Sequence, residues 1–110
     1  MNIEDLNISH KSCATACAIC MLACAKCLDH CAGKVQMTEC MKRCRDAMMA
    51  SADCARFCAG GSRMHSAMCR ACAEICEACA AECEKHDDYQ CRQCADACRA
   101  CAEECRRMAA

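Results

Sequence analysis

Residues 69–83 read CRACAEICEACAAEC and residues 91–105 read CRQCADACRACAEEC, two copies of one frame with ten identities in fifteen positions. Written as a pattern, the frame is C-x2-C-x3-C-x2-C-x3-C. Alternating cysteine steps of three and four keep one face of an α-helix and average to the heptad seam of packed helices. A third copy runs from Cys17 to Cys31, preceded one step earlier by Cys13. A degraded copy runs from Cys44 to Cys58, preceded by Cys40, with Ala47 and Ser51 where the frame has cysteine. The ten-residue step from Cys44 to Cys54 is a heptad plus a step of three, so it stays in phase. This is an internal repeat of one helical unit.

The breakers fall between the copies. Gly33 suits a helix C-cap after the first. Gly60-Gly61-Ser62 follows the second, with Ser62 a candidate N-cap for the next helix. Asp87 with Gln90 three residues on resembles a capping box before the last. The chain has no proline, and the alanine, glutamate, lysine and arginine between the thiols are strong helix formers. Helices are expected near 10–32, 37–59, 63–85 and 88–107. Connections this short make consecutive helices antiparallel neighbours. The predicted fold is all-α, a single domain over 1–110 forming an antiparallel up-down-up-down four-helix bundle with a Cys-lined core.

Composition supports the same reading. Of 110 residues, 20 are cysteine, while leucine, isoleucine, valine and phenylalanine together number nine. Chains so poor in large apolar residues are usually disordered, but with a high net charge; here the net charge is -1. The core is therefore expected to consist of thiols, alanine and methionine. Phe57, Tyr89 and no tryptophan exclude an aromatic platform for nucleic acid, and near-neutral charge excludes a strong phosphate-binding field. The first ten residues lack the basic and apolar regions of a secretory signal. No run reaches the ~18 apolar residues of a membrane span; the longest uncharged stretch, Ser12 to Ala25, is shorter and mostly cysteine and alanine. The expected location is the cytoplasm, where thiols stay reduced and dense cysteine points to metal more than to disulfides.

Phase places Cys13, Cys17, Cys20, Cys24, Cys27, Cys31, Cys40, Cys44, Cys54, Cys58, Cys69, Cys72, Cys76, Cys79, Cys83, Cys91, Cys94, Cys98, Cys101 and Cys105 along the bundle axis as candidate metal ligands. Side chains at i and i+4 have Cβ atoms about 5–6 Å apart, which suits one ion bridging two sulfurs of a helix, as at Cys13–Cys17 or Cys101–Cys105. Thiolates are soft donors that select Cu(I), zinc or iron–sulfur clusters. Ferredoxin spacing is absent. Charge then separates copper from zinc. Twenty Cu(I) ions on twenty thiolates are neutral. Tetrahedral zinc would use about five ions and leave about ten negative charges buried, which is very costly. Tetrahedral sites would also require several helices to converge at each level. General soft-metal detoxification (zinc, cadmium, silver) stays open as an alternative, and so does a thiol redox buffer. The second fits poorly, because reactive thiols need cationic, partly exposed surroundings; no enzyme activity is expected.

The ends of the column carry softer exchangeable donors. His30, Met37 and His86 gather at one end with Cys31, Cys40, Cys83 and Cys91. His10 and His65 lie in phase with Cys13 and Cys69 at the other. The first helix is apolar away from its thiols as well, at Ile19, Met21 and Leu22, which suggests self-association.

The segments ICEACAAECEKHDDYQC (75–91) and CADACRACAEECRRMAA (94–110), with the His30-Cys31 pair and Met37, resemble the bacterial copper storage proteins, specifically their cytosolic branch. The resemblance covers essentially the whole chain. It implies a four-helix bundle binding many Cu(I) ions on core thiols, assembled as a homotetramer. It also implies metal uptake at the end where the first helix meets the second, which here implicates His30, Met37 and His86. Copper ions, with copper donors or chelators, are the expected partners. The chain departs from the family after His86, where Asp87-Asp88-Tyr89 stands and some relatives carry more histidine.

Overall fold

In a computed structural model describing residues 1–110, the repeats become four helices. They are α1 (Lys11–Cys31), α2 (Thr38–Ala59), α3 (His65–Cys83) and α4 (Tyr89–Ala109). Single 3-10 turns at Ile3–Asp5 and Val35–Met37 precede α1 and α2. The packed pairs are α1–α2, α2–α3, α3–α4 and α1–α4, a closed ring of four. Sulfur pairs give the direction of each neighbour. The start of α1 meets the end of α2 at Cys13–Cys58 (3.7 Å), and the start of α2 meets the end of α3 at Cys40–Cys83 (3.7 Å). Cys72–Cys101 (3.9 Å) does the same for α3 and α4. Consecutive helices are antiparallel, as predicted.

The helix ends follow local chemistry. Past α1, Gly33 takes φ +80, a left-handed conformation that suits glycine. Past α2, the amide of Ser62 donates to the Phe57 carbonyl and that of Gly61 (φ +67) to the Cys58 carbonyl, the paired bonds of a Schellman end. A side chain at Gly61 would also meet the Ser9 hydroxyl at 3.0 Å. Ser62 accepts from the Met64 amide and so shapes the turn, but the N-cap position of α3 is Met64. The N-cap of α4 is Asp88 rather than Asp87. Its Oδ1 accepts from the Cys91 amide at 2.8 Å, while Asp87 turns outward to Arg92 at 2.9 Å. The residue with extended backbone takes the cap, and that is Asp88. Replacing Asp88 with alanine should cost about 1 kcal/mol, and a thermal melt of the reduced protein should fall by about 4–8 °C. Asparagine at the same place should recover most of that loss.

The core contains no leucine, isoleucine, valine or phenylalanine. Its buried apolar residues are the twenty cysteines, seven alanines and Met37. Cys13 is 2 % exposed and the other nineteen cysteines are fully buried. Alanine at positions such as Ala73, Ala80, Ala95 and Ala102 lets the backbones approach closely while sulfur fills the axis. Outside, Arg99 pairs with Glu84 (2.8 Å) and Arg106 with Glu77 (2.7 Å), linking α4 to the third helix and its end. Exposed pairs of this kind contribute little each.

One reading of the sequence needs correction. By length and composition α1 is long and apolar enough to cross a membrane, because cysteine and alanine count as apolar whichever way they face. In the bundle its six thiols all point to the axis and are buried.

Candidate metal centre

The twenty sulfurs form a continuous column. All are free thiols. The helix-internal spacing does bring sulfurs together, at Cys20–Cys24 (3.9 Å) and Cys72–Cys76 (3.8 Å). The shortest separations, however, lie between helices: Cys58–Cys69 at 3.5 Å, with Cys54–Cys69, Cys24–Cys98 and Cys17–Cys101 at 3.6 Å. A metal–thiolate bond is about 2.3 Å for zinc, so one ion of similar size spans two sulfurs up to about 4.6 Å apart. The column is therefore dense enough for an ion at almost every neighbouring pair.

Sulfurs also converge in fours. Cys13, Cys54, Cys69 and Cys105 come one from each helix, and all four Sγ atoms lie within 4.8 Å of one another. Cys24, Cys79, Cys94 and Cys98 form an equally close group drawn from three helices, as do Cys27, Cys40, Cys44 and Cys83. The convergence that tetrahedral metals require, and that spacing along a single helix does not provide, is supplied by the bundle. Helices aligned in register place one inward position of each at similar heights, which single-helix spacing does not reveal. Charge, not geometry, must then discriminate. The only buried polar side chain is Ser51, and no buried residue is charged.

Burial acts on the thiols in the expected direction. It pushes Cys31 up to about 12 and Cys58 up to about 11, and raises Cys69 and Cys91 as well. These four thiols are protonated and neutral at pH 7, and a bound metal must displace their protons.

At one end, where α1 finishes and α4 begins, Cys27, Cys31, Cys40 and Cys91 form the outermost group. Met37, three residues before Cys40, is 5 % exposed and belongs to the same buried core. Asp88, a residue the thiol pattern gave no reason to single out, sits beside this group. Its Oδ2 accepts from the Cys91 thiol at 3.4 Å and lies 3.4 Å from His30 Nε2. The Cys91 amide, the Cys91 thiol and the His30 ring together hold its carboxyl below the usual range. The aspartate three residues before a frame cysteine was the available sequence signal, since an N-cap necessarily lies that close. His86 is placed differently: its Nε2 meets Glu82 at 3.0 Å, and it lines an outer hollow with Lys85, Arg92 and Asp96. At the opposite end His10, held at φ 46, stacks on His65 with ring centroids 4.3 Å apart. His65 Nδ1 lies 2.9 Å from the Ser62 carbonyl.

Known proteins share this arrangement. The Cu(I)-bound copper storage protein BsCsp3 is 40 % identical, with 91 % of this chain and 97 % of that one aligned at a TM-score of 0.86. The apo form of copper storage protein 3 from Bacillus subtilis is 39 % identical, covering 91 % and 98 % at the same score. A cytosolic copper storage protein from Streptomyces lividans, carrying five coppers, is 28 % identical over 91 % of each chain, again at 0.86. No curated protein sequence matches. The sequence profile of the copper storage protein family, Csp, matches residues 6–110. With its thiol column, its four-helix ring and that match over nearly its whole length, the chain belongs to the copper storage protein family.

Proposed function

We propose that this protein stores Cu(I) in the cytoplasm, binding about one ion per cysteine along the column, and that it is a container rather than an enzyme. The observation that carries the reading is a fully buried run of twenty thiols with no buried charge beside it. Each Cu(I) that replaces one thiol proton leaves the core as neutral as before. Each tetrahedral zinc on four thiolates would leave two negative charges without partners, in a place where unpaired charge is very costly.

The same neutrality explains how a store fills and empties. Protonated thiols bury without penalty, so the bundle exists before metal arrives, unlike small zinc domains that fold only on binding. Ions move by exchange between sulfurs already in contact. Uptake is proposed at the end formed by Cys31, Cys40 and Cys91, where Met37 offers a thioether, His30 an imidazole and Asp88 a carboxylate that accepts from the Cys91 thiol. His86, His10 and His65 are further candidate donors nearer the surface. Copper donors and chelators are the proposed partners. The cytoplasmic location is supported by the Streptomyces lividans relative, described as cytosolic. Assembly as a homotetramer is supported by an uncovered apolar band on α1 and α2, where Ile19, Leu22 and Met49 are 56 %, 64 % and 58 % exposed.

A second reading, as a general binder of zinc or cadmium, is favoured by the convergent four-sulfur groups. Anaerobic titration of reduced protein with Cu(I) against a competing chelator separates the two. Saturation near twenty ions is expected; saturation near five, as tetrahedral sites require, would overturn the copper reading. A redox-buffer role is disfavoured by thiols that are buried and held protonated.

A further inference from the structure

The column narrows at its middle. On α2 the step from Cys44 to Cys54 passes two core positions occupied by Ala47 and Ser51, both fully buried. The Ser51 hydroxyl donates back to the Ala47 carbonyl, and its oxygen is a hard donor of the kind that suits magnesium or calcium rather than a thiophilic ion. At this height the ring of four sulfur-bearing helices becomes a ring of three.

The sulfur contacts show what the narrowing does. On the mouth side are ten thiols, from Cys24 onward in α1, the first two of α2, the last two of α3 and the first three of α4. Beyond the middle are eight, two from each helix. The two sets meet through Cys20 and Cys76, which lie 3.8 Å apart. Cys20 reaches the mouth side at Cys98 (3.7 Å) and Cys24 (3.9 Å). Cys76 reaches the far side at Cys72 (3.8 Å) and Cys101 (3.9 Å). Two further neighbour pairs across the middle, Cys20 with Cys101 and Cys76 with Cys98, again include one of the two. The far end is tied shut by the Ser9 amide on the Ala59 carbonyl (3.0 Å), the His10–His65 stack and the Ser66 hydroxyl on the Met108 carbonyl (3.2 Å).

Building on the storage reading, we propose that Cys20 and Cys76 form a relay between two chambers, and that copper taken up at the mouth reaches the eight far thiols only through this pair. The step is ligand exchange. An incoming thiol gives up its proton as it binds the ion, and the trailing sulfur lets go and takes that proton, with no change in the oxidation state of copper or in net charge. Cys20 and Cys76 are then positioning residues for transfer as well as ligands, and Ala47 and Ser51 set the width of the passage.

The test is anaerobic stopped-flow loading of the reduced full chain from a Cu(I)–chelator complex, followed by thiolate-to-copper absorbance. The variant Cys20→Ala/Cys76→Ala should fill in two phases, the slower carrying eight of its eighteen sites. A control losing two far-side sulfurs, Cys58→Ala/Cys69→Ala, should keep the wild-type time course with reduced amplitude. Single-phase filling of the first variant at the wild-type rate overturns the relay, as does an equal slow phase in the control. The converse variant, Ala47→Cys/Ser51→Cys, restores sulfur on α2 at the narrowing and should speed the last eight ions. No acceleration overturns the relay even where the alanine variant is unfolded by circular dichroism. A wild-type protein that saturates near five ions sinks the storage reading itself, a result distinct from single-phase filling beside a fully loading wild type.

Discussion

Cu(I) loading should raise the melting temperature of the reduced protein with every equivalent added, until unfolding leaves the range of an aqueous melt. A ligand that binds only the folded state stabilises it by about 2.7 kcal/mol per site when free ligand exceeds the dissociation constant a hundredfold. Whole domains are held by only about 5–15 kcal/mol. A handful of filled sites therefore matches the entire stability of the apo-protein, and twenty exceed it several-fold. Unfolded thiols also bind copper and reduce the gain, but an unfolded chain does not hold Cys58 and Cys69 3.5 Å apart across eleven residues, or Cys17 and Cys101 3.6 Å apart across eighty-four. The apo-protein starts from a low base, because cysteine and alanine bury less apolar surface than the leucines they replace. Circular dichroism melts at stepped copper equivalents check this. Reduced apo-protein should already be helical, and a melting temperature unmoved by copper would contradict binding in the folded core.

The second large effect is alkaline collapse of the apo-protein and its rescue by copper. An unfolded thiol ionises near 9.0, whereas burial holds Cys58 to about 11 and Cys31 to about 12. The folded state thus keeps protons that the unfolded state releases, so stability falls as pH rises. The contribution is complete below pH 9.0 and is lost as pH climbs through 11 and 12. Each thiol held protonated costs up to about 1.4 kcal/mol per pH unit, so the thiols that burial raises, Cys31, Cys58, Cys69 and Cys91, together approach the lower end of the ~5–15 kcal/mol total. Denaturant midpoints of reduced apo-protein should be flat to pH 8 and drop steeply above 9. Copper-loaded protein, whose thiols have already given up their protons, should show no such drop. Equal pH profiles for the two forms would mean that the thiols are not buried neutral.

Much of this was legible from one face of one helix. The steps of three and four in residues 69–83 and 91–105 predict helices, their phase and the inward face of their cysteines, because all three follow from the 3.6-residue turn. The breakers at Gly33 and Gly60-Gly61 work the same way, since left-handed backbone favours glycine wherever it occurs. The cap of α4 was misplaced by one residue, at Asp87 instead of Asp88. Both are aspartates with a short polar side chain, and only the backbone course decides which one faces the open amides.

Relations between helices were out of reach of that reading. The spacing pairs Cys13 with Cys17, but the structure gathers Cys13 with Cys54, Cys69 and Cys105. It also sets Asp88 against Cys91 and His30, and turns His86 outward to Glu82. By itself, the sequence determined four thiol-faced helices and a neutral column suited to a monovalent soft ion, because helical phase and net charge are properties of the chain read residue by residue. The tertiary structure alone decided which sulfurs converge, how the mouth is lined and that the column narrows to Cys20 and Cys76 beside Ala47 and Ser51. Those depend on the axial offset and rotation of packed helices, which are set by side chains far apart in sequence meeting at one height.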